Sequence, residues 1–379
     1  MAASFELAAP GRVVFGAGVS GQASAAVAVL GAKRVLVVGG KSAERSEELR
    51  RRLPVASVFH SIPSEPTMAM VDQGRALALK EGCDLVIALG GGSAVDAGKA
   101  IAAMAGNQGE LCDYMEVVGK GQPLPRPGLP CIAIPTTAGT GAEVTKNSVL
   151  ASPEARVKAS LRSPHLLPVL ALVDPDLLDG TPAAVTAATG LDALSHLLES
   201  FVSVRANPFT LALGREGMVR IARSLHAAYK HGMTAERRED LAMASLFGGI
   251  CLANSGLGAV HGFAAPLGGM WKAPHGAVCA ALLPAVIRMN VAALKSRAPE
   301  DPALGRYHEL DGILAASTDA SIWVIELTRA LGIAGLASVG MKAVDIPLLV
   351  EKAKAASSMR GNPIALTDGE LAEIVAESM

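Results

Sequence analysis

DLVIALGGGSAVDAGKA, residues 84–100, runs from an apolar stretch straight into three glycines, a serine and a helix-like segment. Seven residues, DLVIALG, read as a strand. Glycines at its end let the backbone approach a ligand closely. The N–H groups and positive dipole end of the helix that follows favour an anion. Ser93 and Asp96 have the spacing of a capping box, which would fix that helix start. The plainer alternative is an ordinary glycine-rich strand-to-helix turn.

The same grammar extends on both sides. RVLVVGG (34–40) leads into KSAERSEELRRRL (41–53), and PCIAIPTT (130–137) into AGTGAEVT (138–145). Strand, polar or glycine-rich turn, then helix, repeated, is the pattern of a parallel α/β sheet. The loop after residue 135 carries hydroxyls at Thr136, Thr137 and Thr140, so two ligand-friendly loops sit at the same end of neighbouring strands. That arrangement favours a ligand crevice over two unrelated turns. After LALVDPDLLDGTP (170–182) the strand pattern stops. Long stretches with helical spacing follow, among them 182–204 and 209–230. Pro182 suits the first turn of the new helix. The expected organisation is therefore an α/β domain over 1–180 and an all-helical domain over 181–379.

A second glycine pattern, Gly16, Gly18 and Gly21, spells G-x-G-x-x-G, but in a chain with 40 glycines this is weak evidence. The strand before it, RVVF, is short. The strand after it ends in Gly39, Gly40 and Lys41, without the acid that would hold ribose hydroxyls. These glycines are expected to shape a turn and bind no cofactor. The missing acid at Gly40 also removes the group that would repel a 2′-phosphate. Ser42 at the following helix start could donate to such a phosphate, with Lys41 and Arg45 adding positive charge. NADP is thus expected to be accepted, and favoured over NAD.

Composition excludes several other classes. A net charge of −1 gives no attraction to nucleic acid or an anionic membrane, and 3% aromatic residues leave little for base stacking. Five scattered cysteines without C-x-x-C suit free thiols in a reducing compartment. The start lacks a signal-peptide layout. The apolar stretch CAALLPAVIRMN (279–290) is interrupted by Pro284 and ended by Arg288, so no membrane span is expected. A cytoplasmic protein is the expectation.

Eight histidines occur, and three stand in suggestive places. On a helix, Asp192 and His196 fall on one face, one turn apart, which alone reads as a surface pair. His261 and His275 would lie about 21 Å apart on one straight helix. Pro266, Gly268, Gly269 and Pro274 are expected to break it and fold the chain back. Each histidine alone reads as structural, whereas the four residues together favour a metal. One carboxylate and three neutral imidazoles leave a dication with residual Lewis acidity for an oxygen in an open position.

With FGAG, ALGGGSAVDAGKA, IPTTAGTGAEVT, LVDPDLL, TAATGLDALSHLLES, AVHGFAAPLGG and PHGAV in place, the chain resembles the iron-dependent (group III) alcohol dehydrogenases over almost its whole length. The resemblance implies an α/β dinucleotide-binding domain followed by an all-α metal-binding domain, the architecture shared with dehydroquinate synthase. It carries the metal ligands onto Asp192, His196, His261 and His275 with none missing. The pyrophosphate loop falls on Gly91, Gly92, Ser93 and Asp96, the nicotinamide-side loop on Thr136, Thr137 and Thr140, and a further cofactor contact on Lys158. Iron is the metal implied, and the donor set also suits zinc; NADP or NAD is the cofactor. Three departures stand out: Ala265 where many members have a second histidine, Gly40 where many NAD users have aspartate, and Glu65-Pro66 for an Asn-Pro dipeptide. The implied activity is hydride transfer between a small alcohol or aldehyde and a nicotinamide. A hydroxyacid–oxoacid transhydrogenase and, from another class, a dehydroquinate synthase-like lyase are the alternatives. The expected partners are the small substrate and, at most, a second copy of the chain as a homodimer.

Overall fold

A computed structural model describes residues 4–41, 43–271, 273–315 and 319–379. Its first elements alternate as β1 (Val13–Phe15), α1 (Ala23–Val29), β2 (Arg34–Gly39), α2 (Glu44–Arg52), β3 (Ala56–Ser61), α3 (Met68–Lys80), β4 (Leu85–Gly90) and α4 (Gly92–Ala105). A short α5 (Leu111–Tyr114), β5 (Cys131–Pro135), β6 (Asn147–Ser152), β7 (Val157–Arg162) and β8 (Leu170–Val173) complete this part. Six strands form a parallel sheet in the order β1-β8-β5-β4-β2-β3. Every residue of β4 and β5 is buried, as central parallel strands covered on both faces must be. One apolar layer includes Leu36, Val86, Ala97 and Ile101, and the opposite layer Val35, Leu85, Ile87 and Ile134. Gly98 of α4 has to be small, because a Cβ there would lie 2.5 Å from the Ala88 Cβ.

Three local expectations need correction. AGTGAEVT makes only a single 3-10 turn, Ala142–Val144, and the chain then enters the antiparallel β6–β7 hairpin, for which the α/β reading had no place. Ser93 and Asp96 form no capping box. Gly91 is the N-cap of α4 and no side chain caps it. Asp96 instead accepts the Val149 N–H at 3.1 Å and faces Lys99 Nζ at 3.4 Å, so its carboxylate is committed to the hairpin side. Pro182 stands at the N-cap, one residue ahead of the helix it was expected to begin.

From there the chain is helical: α6 (Ala183–Val202), α7 (Pro208–His231), α8 (Ala235–Ser255), α9 (Ala259–Trp271), α10 (His275–Arg297), α11 (Pro302–Leu310), α12 (Ala320–Ala330), α13 (Ile346–Ala355) and α14 (Asp368–Glu377). Helix α6 is buried on all sides from Gly190 to Val202, the signature of a core helix. Asn207 caps α7 by accepting the N–H groups of Phe209 and Thr210, with Pro208 in the first turn. Helix α10 continues past Pro284, which was expected to interrupt this apolar stretch. It is long and apolar enough to cross a membrane, yet most of it is buried among the other helices, as in a protein core.

The chain packs as two units. One comprises Ala8–Thr137 and Gly141–Asp179; the other comprises Gly180–Met379 with Ala138–Thr140 and an N-terminal stretch ending at Leu7. Two short segments thus depart from a division into two continuous stretches.

Candidate functional site

Within the α/β unit, β2 leads outward to β3 and the chain then returns to β4 on the other side of β2. The strand order reverses between β2 and β4, and the carboxyl ends flanking such a reversal are where open α/β sheets bind ligands. Those ends carry Gly39-Gly40 and Gly90-Gly91-Gly92. Gly40 N would lie 3.4 Å from a Cβ on Gly90, and nothing lies within 4 Å of a Cβ on Gly40 itself. The neighbouring loop joins them: Thr136 N–H donates to the Gly90 carbonyl at 2.9 Å. A Cβ on Gly91 would meet Thr137 Oγ1 at 3.3 Å. Gly40, Gly91, Gly92, Ser93, Thr136 and Thr137 are therefore gathered at one edge. Thr140 belongs to the helical unit, and Ser42 lies outside the described residues.

Two of the sequence departures meet each other. Lys158, nearly buried on β7, pairs with Glu65 at 3.0 Å, so the residue that replaces the usual Asn of an Asn-Pro pair engages the lysine expected to contact a cofactor. Asp96 is pulled upward by burial and restrained by Lys99, whose own ammonium burial pulls down. The Gly16–Gly21 turn is committed elsewhere. Gly18 N–H, Ser20 N–H and Ser20 Oγ all donate to the Asp174 carboxylate, at 2.9, 3.0 and 2.6 Å. Donors that a phosphate would need are already satisfied by a buried carboxylate, and the turn is structural.

In the helical unit, α6 supplies Asp192 and His196, α9 supplies His261 and α10 begins with His275. Asp192 and His196 are no surface pair, since each is only 3% exposed. Helix α9 also runs unbroken past Pro266, Gly268 and Gly269 to Trp271, and a separate helix α10 starts at His275 behind its N-cap Pro274. The rings of His261 and His275 come together with centroids 5.4 Å apart, while His196 stacks on His261 at 4.6 Å. Asp192 Oδ1 lies 3.5 Å from His261 Nε2, 3.6 Å from His275 Nε2 and 3.9 Å from His196 Nε2. No hydrogen bond satisfies that oxygen or His196 Nδ1 among the described residues. Buried polar atoms left in this way demand an explanation, and a cation among them is one.

Two residues that the sequence reading passed over complete the cluster. Glu199, one turn beyond His196 on α6, accepts from His261 Nδ1 at 2.7 Å and from the Val260 N–H at 2.7 Å. With Nδ1 so engaged, Nε2 is the nitrogen that faces Asp192. Cys279, one turn beyond His275 on α10, is buried with its sulphur beside both rings. Both were visible in principle as helical i, i+4 or i, i+3 neighbours of expected ligands.

The electrostatics of the cluster suit a positive charge at its centre. Burial alone would raise Asp192, but His196, His275 and His261 outweigh it and hold the carboxyl well below its usual range. Burial drives His196 down to about 4. Burial would also lower His261, yet Cys279, Asp192 and Glu199 reverse this and hold it well above its ordinary value. The acidic surroundings of His261 Nε2 suit a proton or a metal ion equally in sign. The oxygen and nitrogen donors favour a transition metal or zinc.

Comparison with known proteins agrees with this geometry. Residues 10–175 match the sequence profile described as iron-containing alcohol dehydrogenase, and residues 186–379 that of the C-terminal part of the Fe-containing alcohol dehydrogenase family. The chain is 35% identical over 358 residues to 1,3-propanediol dehydrogenase of Klebsiella pneumoniae, covering 91% of each chain. It is 32% identical to the NAD-dependent methanol dehydrogenase of Bacillus methanolicus, covering 98% of each. A crystal structure of 1,3-propanediol oxidoreductase superimposes with a TM-score of 0.89 at 33% identity and full coverage of both chains. The fold and site define an oxidoreductase with an α/β unit and a helical unit. This chain belongs to the iron-containing alcohol dehydrogenase family.

Proposed function

We propose that the chain is a metal-dependent, NAD(P)-linked alcohol dehydrogenase or aldehyde reductase for small substrates. The observation that carries this reading is the convergence of His261 and His275 on a buried Asp192 carboxylate oxygen that no hydrogen bond satisfies among the described residues. Asp192, His196, His261 and His275 would hold the ion, and Glu199 would orient His261 through its Nδ1. When bound, iron or zinc supplies Lewis acidity toward a substrate oxygen, and the nicotinamide supplies or takes the hydride. In the α/β unit, the uncapped start of α4 at Gly91, Gly92 and Ser93 offers backbone N–H groups to a pyrophosphate. Thr136, Thr137 and Thr140 offer hydroxyls toward the nicotinamide side, and Lys158 serves the cofactor through or in exchange for its pairing with Glu65. Gly40 leaves room for a 2′-phosphate, so NADP is accepted. Ala265, one turn beyond His261, places a methyl group where many family members have a ring, so any proton transfer assigned to that ring is absent here. The named relatives act on short alcohols, which supports a small substrate.

The test is cofactor reduction across short alcohols, with metal content measured on the same samples. His261→Ala and His275→Ala should each lose the ion and turnover while keeping the far-ultraviolet circular dichroism of the parent. Full turnover by metal-stripped protein would overturn the reading.

A further inference from the structure

Cys279 has no role in the reading above, yet its sulphur lies inside the cluster. It is fully buried, and its Sγ is 3.7 Å from His261 Nε2 and 3.8 Å from His275 Nε2. Those same nitrogens lie 3.5 and 3.6 Å from Asp192 Oδ1. The donor atoms of Asp192, His261, His275 and Cys279 all fall within 4.8 Å of one another. Donors held tetrahedrally at bond lengths of about 2.0–2.3 Å are separated by about 3.3–3.6 Å. Four of the edges among these donors are within a few tenths of an ångström of that spacing. An independent sign points to the same centre: Asp192 Oδ1 is buried and has no hydrogen-bond partner among the described residues.

We propose that Cys279 is a further metal ligand, giving its thiolate to the ion held by Asp192, His196, His261 and His275. The inference rests on reading this cluster as a metal centre. The step is a simple exchange: the sulphur–metal bond forms as the S–H bond breaks, and the proton leaves to solvent. Nothing is oxidised or reduced. A carboxylate and a thiolate together neutralise a dication, where the carboxylate and imidazoles alone would leave one positive charge. A sulphur donor also makes the site softer and favours zinc over iron. The signal was local in the sequence, because residues 275 and 279 share one face of α10.

The test uses the full chain loaded with zinc alone and examined by X-ray absorption at the zinc edge. The expected result is one sulphur scatterer at about 2.3 Å beside nitrogen and oxygen, lost in Cys279→Ser. The cobalt-loaded wild type should show a thiolate-to-metal charge-transfer band in the near ultraviolet, also absent from Cys279→Ser. Stoichiometric zinc that is lost in His261→Ala, with nitrogen and oxygen scatterers only, would overturn the thiolate ligand and leave the metal centre standing. No zinc bound at this cluster would overturn both. The wild-type spectra decide the matter even if the variant fails to fold.

Discussion

Replacing Glu199 by Gln changes one atom and should weaken metal binding without disturbing the fold. The Glu199 carboxylate accepts two buried hydrogen bonds, from His261 Nδ1 and from the Val260 N–H, each at 2.7 Å. The amide of Gln offers a single acceptor oxygen, and its NH2 group must face one of these two donors. If the oxygen stays with Val260, His261 loses the partner that sets its orientation and leaves Nε2 for the ion. A hydrogen bond to a charged group contributes about 1.5–3 kcal/mol. At about 1.4 kcal/mol per decade, that corresponds to roughly 10- to 100-fold in affinity. The same range is typical for removing the carboxylate behind a metal-bound histidine, about 10–100-fold. The assay is zinc competition between metal-free protein and a chromophoric chelator, with thermal melts of both proteins in parallel. A Glu199→Gln variant with wild-type zinc affinity and an unchanged melt would refute the argument that this carboxylate orients His261.

Four further outcomes follow from the α/β unit. Gly91→Val should weaken cofactor binding by tenfold or more in a fluorescence titration, because in the loop proposed to take the pyrophosphate its side chain would block close approach and crowd Thr137 of the neighbouring loop. Gly18→Val should instead cost about 1–2 kcal/mol of stability through its left-handed φ of 74° and leave cofactor affinity unchanged; the reverse ranking would make the first turn the phosphate site. Gly40→Asp, for which there is open space, should lower the NADP/NAD ratio of kcat/KM by roughly tenfold, or about 1.4 kcal/mol. A wild type that prefers NAD, with a ratio untouched by the substitution, would end the case for NADP. Burial raises Glu143 to about 7 from an ordinary 4.5, so between those values the folded state binds more protons than the unfolded state. Stability should then fall as pH rises through this window, by about 3 kcal/mol once above it. Glu143→Gln should flatten that dependence and melt higher than wild type at pH 8; parallel melting curves across pH would contradict the burial argument.

Chain neighbours alone determined a good deal about this protein. The apolar run of residues 85–90 ending in glycines specifies a central strand and an open helix start. The i, i+4 spacing of Asp192 and His196 places two donors on one helix face in any fold that keeps that helix. Such features depend on backbone geometry within a turn or two, where sequence order and distance in space coincide. Other features join groups far apart in the chain, and only tertiary packing decides them. The Gly16–Gly21 turn reads as a structural turn in the sequence, but only the fold shows that Asp174, more than 150 residues away, takes its N–H groups. Lys158 looks like a cofactor contact until the hairpin brings it to Glu65. The helix of His261 continues past Pro266, Gly268 and Gly269, and of the residues expected to break it only Pro274 stands at a helix boundary, as the N-cap of α10. Helix α10 then brings Cys279 to the cluster along with His275. Helical spacing places Glu199 and Cys279 beside known candidates, but only the packing of α6, α9 and α10 aims their side chains at one point.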